Sequence, residues 1–147
     1  MKVRGTYTVE VAGLTRHLPL FQVAPGVRIA VFNMLGDTFV VKAAAAALSE
    51  RLKDLDADVL VTAEAKSIPL IYEMPYVVLR KAYKTYMGDV LSADTVSITT
   101  GIPQTLFLDE KDKSLIGSKR VILVDDVIST GSTLKAMSKL VDLAGGE

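Results

Sequence analysis

The chain contains no cysteine. Disulfides, thiolate nucleophiles and cysteine-ligated metal centres are excluded at once. A single histidine, His17, excludes a histidine-rich metal site and any triad that draws its base from later in the chain. Neither sign of charge is in excess, since 17 basic residues balance 17 acidic ones. Neither nucleic acid nor a membrane is therefore expected as a partner. No apolar run approaches the roughly 18 residues of a membrane span. Met1–Gly5 leads into no apolar stretch of a secretion signal, and the expected address is cytoplasmic. What is present is ordinary for a globular domain: half of the 147 residues are hydrophobic and 23% are charged. That suffices for one domain with its own core.

One stretch organises the rest. Val121-Ile122-Leu123-Val124 is a run of four apolar residues, the mark of a strand buried on both faces. Asp125-Asp126 stands at its carboxyl end. Val127-Ile128 and the hydroxyl-rich Ser129-Thr130-Gly131-Ser132-Thr133 follow, and a helical pattern begins at Leu134. In open α/β sheets, ligands bind outside the carboxyl ends of the strands. A loop of Ser, Thr and Gly entering a helix offers N–H groups, hydroxyls and a favourable dipole to an anion. Carboxylates beside it suit vicinal hydroxyls or a hard cation. A phosphorylated sugar combines those needs.

Residues 6–11 and 16–23 read as a hairpin about Ala12-Gly13, outside the main pattern, with Pro19 marking an edge strand. Val27–Phe32 is a strand and Asn33–Asp37 a loop. A helix then starts at Asp37 or Thr38, with Val41, Ala45, Leu48, Leu52 and Leu55 on one face. A short buried strand, Val59–Val61, is followed by the polar loop Thr62–Lys66, a short helix Ser67–Met74, and the strand Tyr76–Leu79, which ends at Arg80-Lys81. Residues 82–95 show no period and read as a long loop, a length common in functional lids. Val96–Thr99 and Thr105–Leu108 pair across Gly101-Ile102-Pro103, and Glu110–Lys113 is a charged turn. The last helix carries Leu134, Met137, Leu140 and Val141, and stops at Gly145-Gly146. The expected class is α/β: a central, mostly parallel sheet flanked by helices, with an N-terminal β-hairpin and a long flexible lid loop. One domain is expected over 1–147, with 1–26 an extension and 27–147 the core.

The stretch Val121–Thr133 resembles the phosphoribosyl diphosphate (PRPP) signature of the type I phosphoribosyltransferases. That signature is four apolar residues, two acidic, two apolar, one small, then Thr-Gly-x-Thr, and every position is met. The resemblance extends over residues 27–147 and implies that family's fold. It implies that the catalytic pair Asp125 and Asp126 holds the ribose hydroxyls, directly or through Mg²⁺ and its waters. It gives Ser129, Thr130, Gly131, Ser132 and Thr133 the 5-phosphate. It makes Glu64, Ala65 and Lys66 the diphosphate loop, with a non-proline cis peptide at Glu64–Ala65. Arg80, Lys81 and Lys84 would add positive charge to the leaving diphosphate, in a segment that reaches a neighbouring subunit of a homodimer. The implied co-substrate is PRPP and the implied cofactor Mg²⁺. The implied reaction moves ribose 5-phosphate from diphosphate to a ring nitrogen of a base, through an oxocarbenium-like transition state. Catalysis is then chiefly electrostatic, with water excluded by the lid.

Ser129 narrows the base. Hypoxanthine-guanine-type members commonly carry an Asp there, whereas Ser129 and the basic Arg80-Lys81 segment resemble the adenine and xanthine branch. Base contacts are expected from Val127, Phe32 and Asn33 by stacking and backbone hydrogen bonds. The expected function is purine salvage: transfer of 5-phosphoribosyl to an adenine- or xanthine-like base. The alternative is a non-catalytic regulator that senses PRPP or a nucleotide. It ranks lower because no helix-turn-helix or basic arm is visible. A pyrimidine acceptor is a third reading. Two features depart from the family pattern. Pro75 directly follows Met74, so the 67–74 helix is short, and a further strand is expected past residue 147.

Overall fold

The computed structural model describes residues 3–71, 74–96 and 103–147. Its contacts divide into two compact units, Met1–Leu52 and Lys53–Glu147.

In the first unit β1 (Val3–Val11), β2 (Leu14–Ala24) and β3 (Val27–Ala30) form an antiparallel sheet in the order β1-β2-β3. The turn between β1 and β2 has φ of 49° at Ala12 and 79° at Gly13. Both values are left-handed, as a two-residue hairpin turn requires. β2 is the central strand, not the edge that Pro19 suggested. Val31 N–H donates to the Pro19 carbonyl at 3.0 Å, and Leu20 pairs with Ala30, the last residue of β3. The donor that proline lacks thus faces the rung where β3 has already ended, which makes proline tolerable there. β3 also pairs with β2 instead of entering the parallel sheet, so the expected hairpin is a three-stranded sheet.

α1 spans Thr38–Leu52. Asp37 caps it, its Oδ1 accepting Val40 N–H at 3.2 Å, as an N-cap residue should. The same carboxylate pairs with Arg16, whose Nε lies 2.6 Å from Oδ2. That guanidinium, helped by the Val40 N–H, holds the Asp37 carboxyl down at about 2. Leu55, expected on the helix, lies beyond its end and is exposed.

The second unit is built on a parallel sheet of β4 (Val59–Ala63), β5 (Tyr76–Leu79) and β8 (Val121–Val124), in the order β5-β4-β8. All five residues of β4 are buried, as the apolar run of a central strand predicts. Thr62 lies opposite Val78 on one side and Val124 on the other. β6 (Leu91–Val96) and β7 (Pro103–Leu108) form an antiparallel pair. It joins the parallel sheet by a bridge from Arg80 to Phe107, with bonds of 2.9 and 2.8 Å. α2 (Lys113–Ile116) and α3 (Ser132–Leu143) complete the unit. Ala136, Met137, Leu140 and Val141 of α3 pack with Val61, Leu79, Leu106 and Ile116 in the core.

The long loop expected over 82–95 is shorter. A 3₁₀ turn occupies Thr85–Met87 and β6 begins at Leu91. Met87 is buried, and the Tyr83 ring packs on Phe107 with centroids 6.1 Å apart. β6 escaped the sequence reading because Ser92, Ala93 and Asp94 are weak strand formers. Its alternation is nonetheless real, with Ala93 and Thr95 buried and Ser92 and Asp94 exposed. Residues 97–102, where a strand end and turn were expected, lie outside the described residues. The short helix expected at 67–74 is a 3₁₀ turn, Ile68–Leu70. Residues 72–73 are likewise outside the described set.

Candidate active site

β4, β5 and β8 run parallel, so the segments that follow them emerge at one edge of the sheet. After β4 comes the loop Glu64–Ser67, with a cis peptide between Glu64 and Ala65, as the resemblance implied. After β5 come Arg80 and Lys81. After β8 come Asp125, Asp126 and the hydroxyl loop. Side-chain contacts tie all three together.

Lys66 Nζ lies 3.3 Å from Asp126 Oδ2. That oxygen is buried and accepts no hydrogen bond of good geometry, so the ammonium is its nearby compensation. Asp126 N–H donates to Asp125 Oδ1 at 2.9 Å. Burial pushes the Asp125 carboxyl up to about 6. The adjacent Asp126 pushes the same way, against the Asp126 N–H and the Lys81 ammonium.

The Glu64 side chain faces the end of β5. Its Oε2 accepts Arg80 Nε–H at 2.7 Å, and its Oε1 accepts Lys81 N–H at 2.7 Å. The carboxylate is turned to the end of β5 and anchors the basic segment. Lys84 stands apart. Its backbone brackets the 3₁₀ turn, donating to Met87 Sδ at 3.3 Å and accepting Met87 N–H at 2.9 Å. Its side chain is exposed, and among the described residues no ion pair joins it to the acids.

Ser129 and Thr130 are exposed, and Ser132 and Thr133 are half-buried at the start of α3. Thr130 Oγ1 lies 3.3 Å from Ser132 Oγ. Gly131 precedes the helix with φ of 76°. A Cβ there would meet nothing within 4 Å, so glycine is needed for backbone conformation and not for space. It offers no side chain to cap the helix. Val127 is half exposed beside the acids. Phe32 and Asn33 belong to the first unit, between β3 and α1, where Asn33 Oδ1 accepts Leu35 N–H at 3.3 Å.

Two hydroxyls flank the loop: Thr62, expected to open it, belongs to β4, and Ser67 follows Lys66. Thr62 and Ser67 are fully buried, and Thr62 Oγ1 lies 2.7 Å from both Ser67 Oγ and the Val124 carbonyl oxygen. The signal available was a lone hydroxyl inside the apolar run Val59–Ala63.

Among the described residues no group of three or more His, Cys, Asp or Glu side chains is placed to hold a metal. A site dominated by protein ligands is not supported. Two adjacent carboxylates, one with a buried oxygen lacking a hydrogen bond, do fit Mg²⁺. That ion keeps several waters and takes further ligands from phosphates.

Sheet and site together define the class: a transferase of the type I phosphoribosyltransferase fold. Residues 34–147 match the phosphoribosyl transferase domain family, and the chain belongs to that family. It is 34% identical over 124 residues to adenine phosphoribosyltransferase of Agathobacter rectalis, covering 80% of this chain and 68% of the relative. It is 35% identical over 98 residues to hypoxanthine/guanine phosphoribosyltransferase of Methanocella paludicola, covering 63% of this chain and 48% of that one. The chain thus spans about half the length of the second relative. Among solved structures, the APRTase of Giardia lamblia complexed with 9-deazaadenine superposes with a TM-score of 0.71 at 24% identity. The match covers 88% of this chain and 75% of that one, and the likeness is one of fold.

Proposed function

We propose that the protein transfers the 5-phosphoribosyl group of PRPP to a ring nitrogen of an adenine- or xanthine-like purine, releasing diphosphate, in purine salvage. The observation that carries this reading is the 3.3 Å approach of Lys66 to Asp126. It sets an anion-binding loop directly against the acidic pair. A donor whose diphosphate departs from the sugar carbon next to two hydroxyls needs those features side by side.

In this reading Asp125 and Asp126 accept hydrogen bonds from the ribose hydroxyls. The Ser129–Thr133 loop and the first-turn amides of α3 hold the 5-phosphate. Lys66, Lys81 and the 64–66 amides hold the diphosphate, and Glu64 fixes the base of the Arg80-Lys81 segment. Asp125 and Asp126 are the residues that would hold Mg²⁺ through its waters, and the ion would supply charge neutralisation to the leaving diphosphate. As the bond from the anomeric carbon to diphosphate breaks, positive charge grows on the sugar, and the neighbouring carboxylates favour it. Val127 remains our proposed base contact within the unit Lys53–Glu147. Ser129 and the Arg80-Lys81 segment support the adenine or xanthine branch. The two relatives above are named for adenine and for hypoxanthine/guanine, so the base rests on those residues.

The test is to incubate the protein with PRPP, Mg²⁺ and one base at a time, and to measure released diphosphate. Adenine, xanthine, hypoxanthine, guanine, uracil and orotate form the panel. Turnover with adenine or xanthine is expected. Tight PRPP binding with no turnover on any base would overturn the enzyme in favour of a sensor.

A further inference from the structure

Thr62 and Ser67 take no part in the chemistry just described, yet their hydroxyls lie directly beneath it. Both are essentially inaccessible, at 0% and 1% exposure. Thr62 Oγ1 sits 2.7 Å from the Val124 carbonyl oxygen and 2.7 Å from Ser67 Oγ. A hydroxyl has one proton to donate. A carbonyl only accepts, so the Thr62 proton goes to Val124, and Thr62 in turn accepts from Ser67. The competing acceptor for Ser67, the Ala63 carbonyl, is farther away at 3.3 Å. The bonds therefore run in one direction, from Ser67 through Thr62 to Val124.

The ends of this relay matter. Ser67 directly follows Lys66, and Val124 directly precedes Asp125. The relay crosses from β4 to β8 at the last paired rung, Thr62 opposite Val124. Packing alone does not call for threonine in β4, where valine would fill the same volume on the rung shared with Val78 and Val124. A polar group buried this deeply is costly unless bonded, and here one bond ties Thr62 to the loop after β4 while the other crosses to β8.

We propose that Thr62 and Ser67 are positioning residues, which fix the Glu64–Lys66 loop against the Asp125-Asp126 pair. Their expected effect on turnover rests on the PRPP reading given above. Their effect on the unliganded protein does not.

Thr62→Val keeps the volume and removes both bonds, Thr62→Ser keeps the hydroxyl, and Ser67→Ala removes the first donor. Amide hydrogen exchange on the unliganded full chain is the first measurement. Loss of one buried hydrogen bond corresponds to about a tenfold change. Thr62→Val is expected to raise exchange about tenfold at Glu64–Ser67 and at Val124–Asp126 together, leaving Met137–Val141 unchanged. Thr62→Ser restores it. The second measurement is steady-state kinetics: kcat/KM for PRPP falls about tenfold in Thr62→Val, with KM for the base unchanged, and recovers in Thr62→Ser. Such a split marks misplacement of the donor site and not general loosening. Unchanged exchange in Thr62→Val, or a change confined to one of the two segments, overturns the inference. If Thr62→Val does not fold, folded Ser67→Ala decides: unaltered exchange at Val124–Asp126 overturns the relay. A wild-type protein that neither binds nor turns over PRPP, with the paired exchange effect intact, overturns the proposed function and leaves the positioning role standing.

Discussion

At the scale of single residues, Asp125 and Asp126 follow each other directly after β8, and Asp126 N–H donates to Asp125 Oδ1. Asp125→Asn with Asp126→Asn is expected to abolish diphosphate release while leaving the far-ultraviolet circular dichroism unchanged; full activity in that variant would mean the pair is not catalytic. The carboxyl of Asp125, raised to about 6 chiefly by burial, gives a pH signature with a definite sign. The folded chain holds this proton more tightly than the unfolded chain does. Its contribution to stability is therefore greatest below about pH 4 and is lost as pH rises through about 6. Ligand binding runs the other way, because the ionised form accepts from hydroxyls. PRPP affinity is expected to weaken as pH falls below about 6, measured by titration calorimetry from pH 5 to 8. A flat profile would show that Asp125 does not need its charge. The pair and the loop after it were legible because they are contiguous in the chain. The Glu64–Arg80 contact, 16 residues apart, and the Thr62–Val124 contact, 62 apart, were not. A lone hydroxyl or carboxylate signals that it has a partner without saying which one.

At the scale of elements, the segment after α3 is a close joint. Gly146 packs so closely that a Cβ would come within 2.8 Å of Ile116 Cγ2 and Val141 Cγ1, and 3.1 Å of the Ile116 carbonyl. Gly146→Ala is expected to destabilise the chain by about 1–3 kcal/mol, the usual cost of overpacking, read as a lower urea midpoint. No change in midpoint would mean the segment after α3 swings aside freely. Helix α3 and the three parallel strands were legible from periodicity and apolar runs. β6 was not, because Ser92, Ala93 and Asp94 carry little strand preference, and the reason they form a strand is their partner β7.

At the scale of the whole molecule, the apolar run of β3 did not reveal which sheet it joins. Local pattern sets an element's type, and its partner is chosen by long-range pairing with β2. The proposed ligand set lies mainly in the unit Lys53–Glu147, so ligand should raise the unfolding temperature by mass action. At PRPP with Mg²⁺ near a hundred times the dissociation constant, the expected gain is about 2.7 kcal/mol. Differential scanning calorimetry reads this as an upward shift in Tm, absent in the double Asn variant. An equal shift in that variant would place the ligand elsewhere.

The two backbone bonds between Arg80 and Phe107 make the first residue past β5 a rung of the neighbouring antiparallel pair. A cation carried on a free loop loses main-chain freedom when it meets an anion, and that entropy is subtracted from affinity. A cation carried on a rung has lost that freedom already, during folding. In the proposed reading, the segment that carries Lys81 is therefore ordered once per molecule folded and not again at each encounter with ligand.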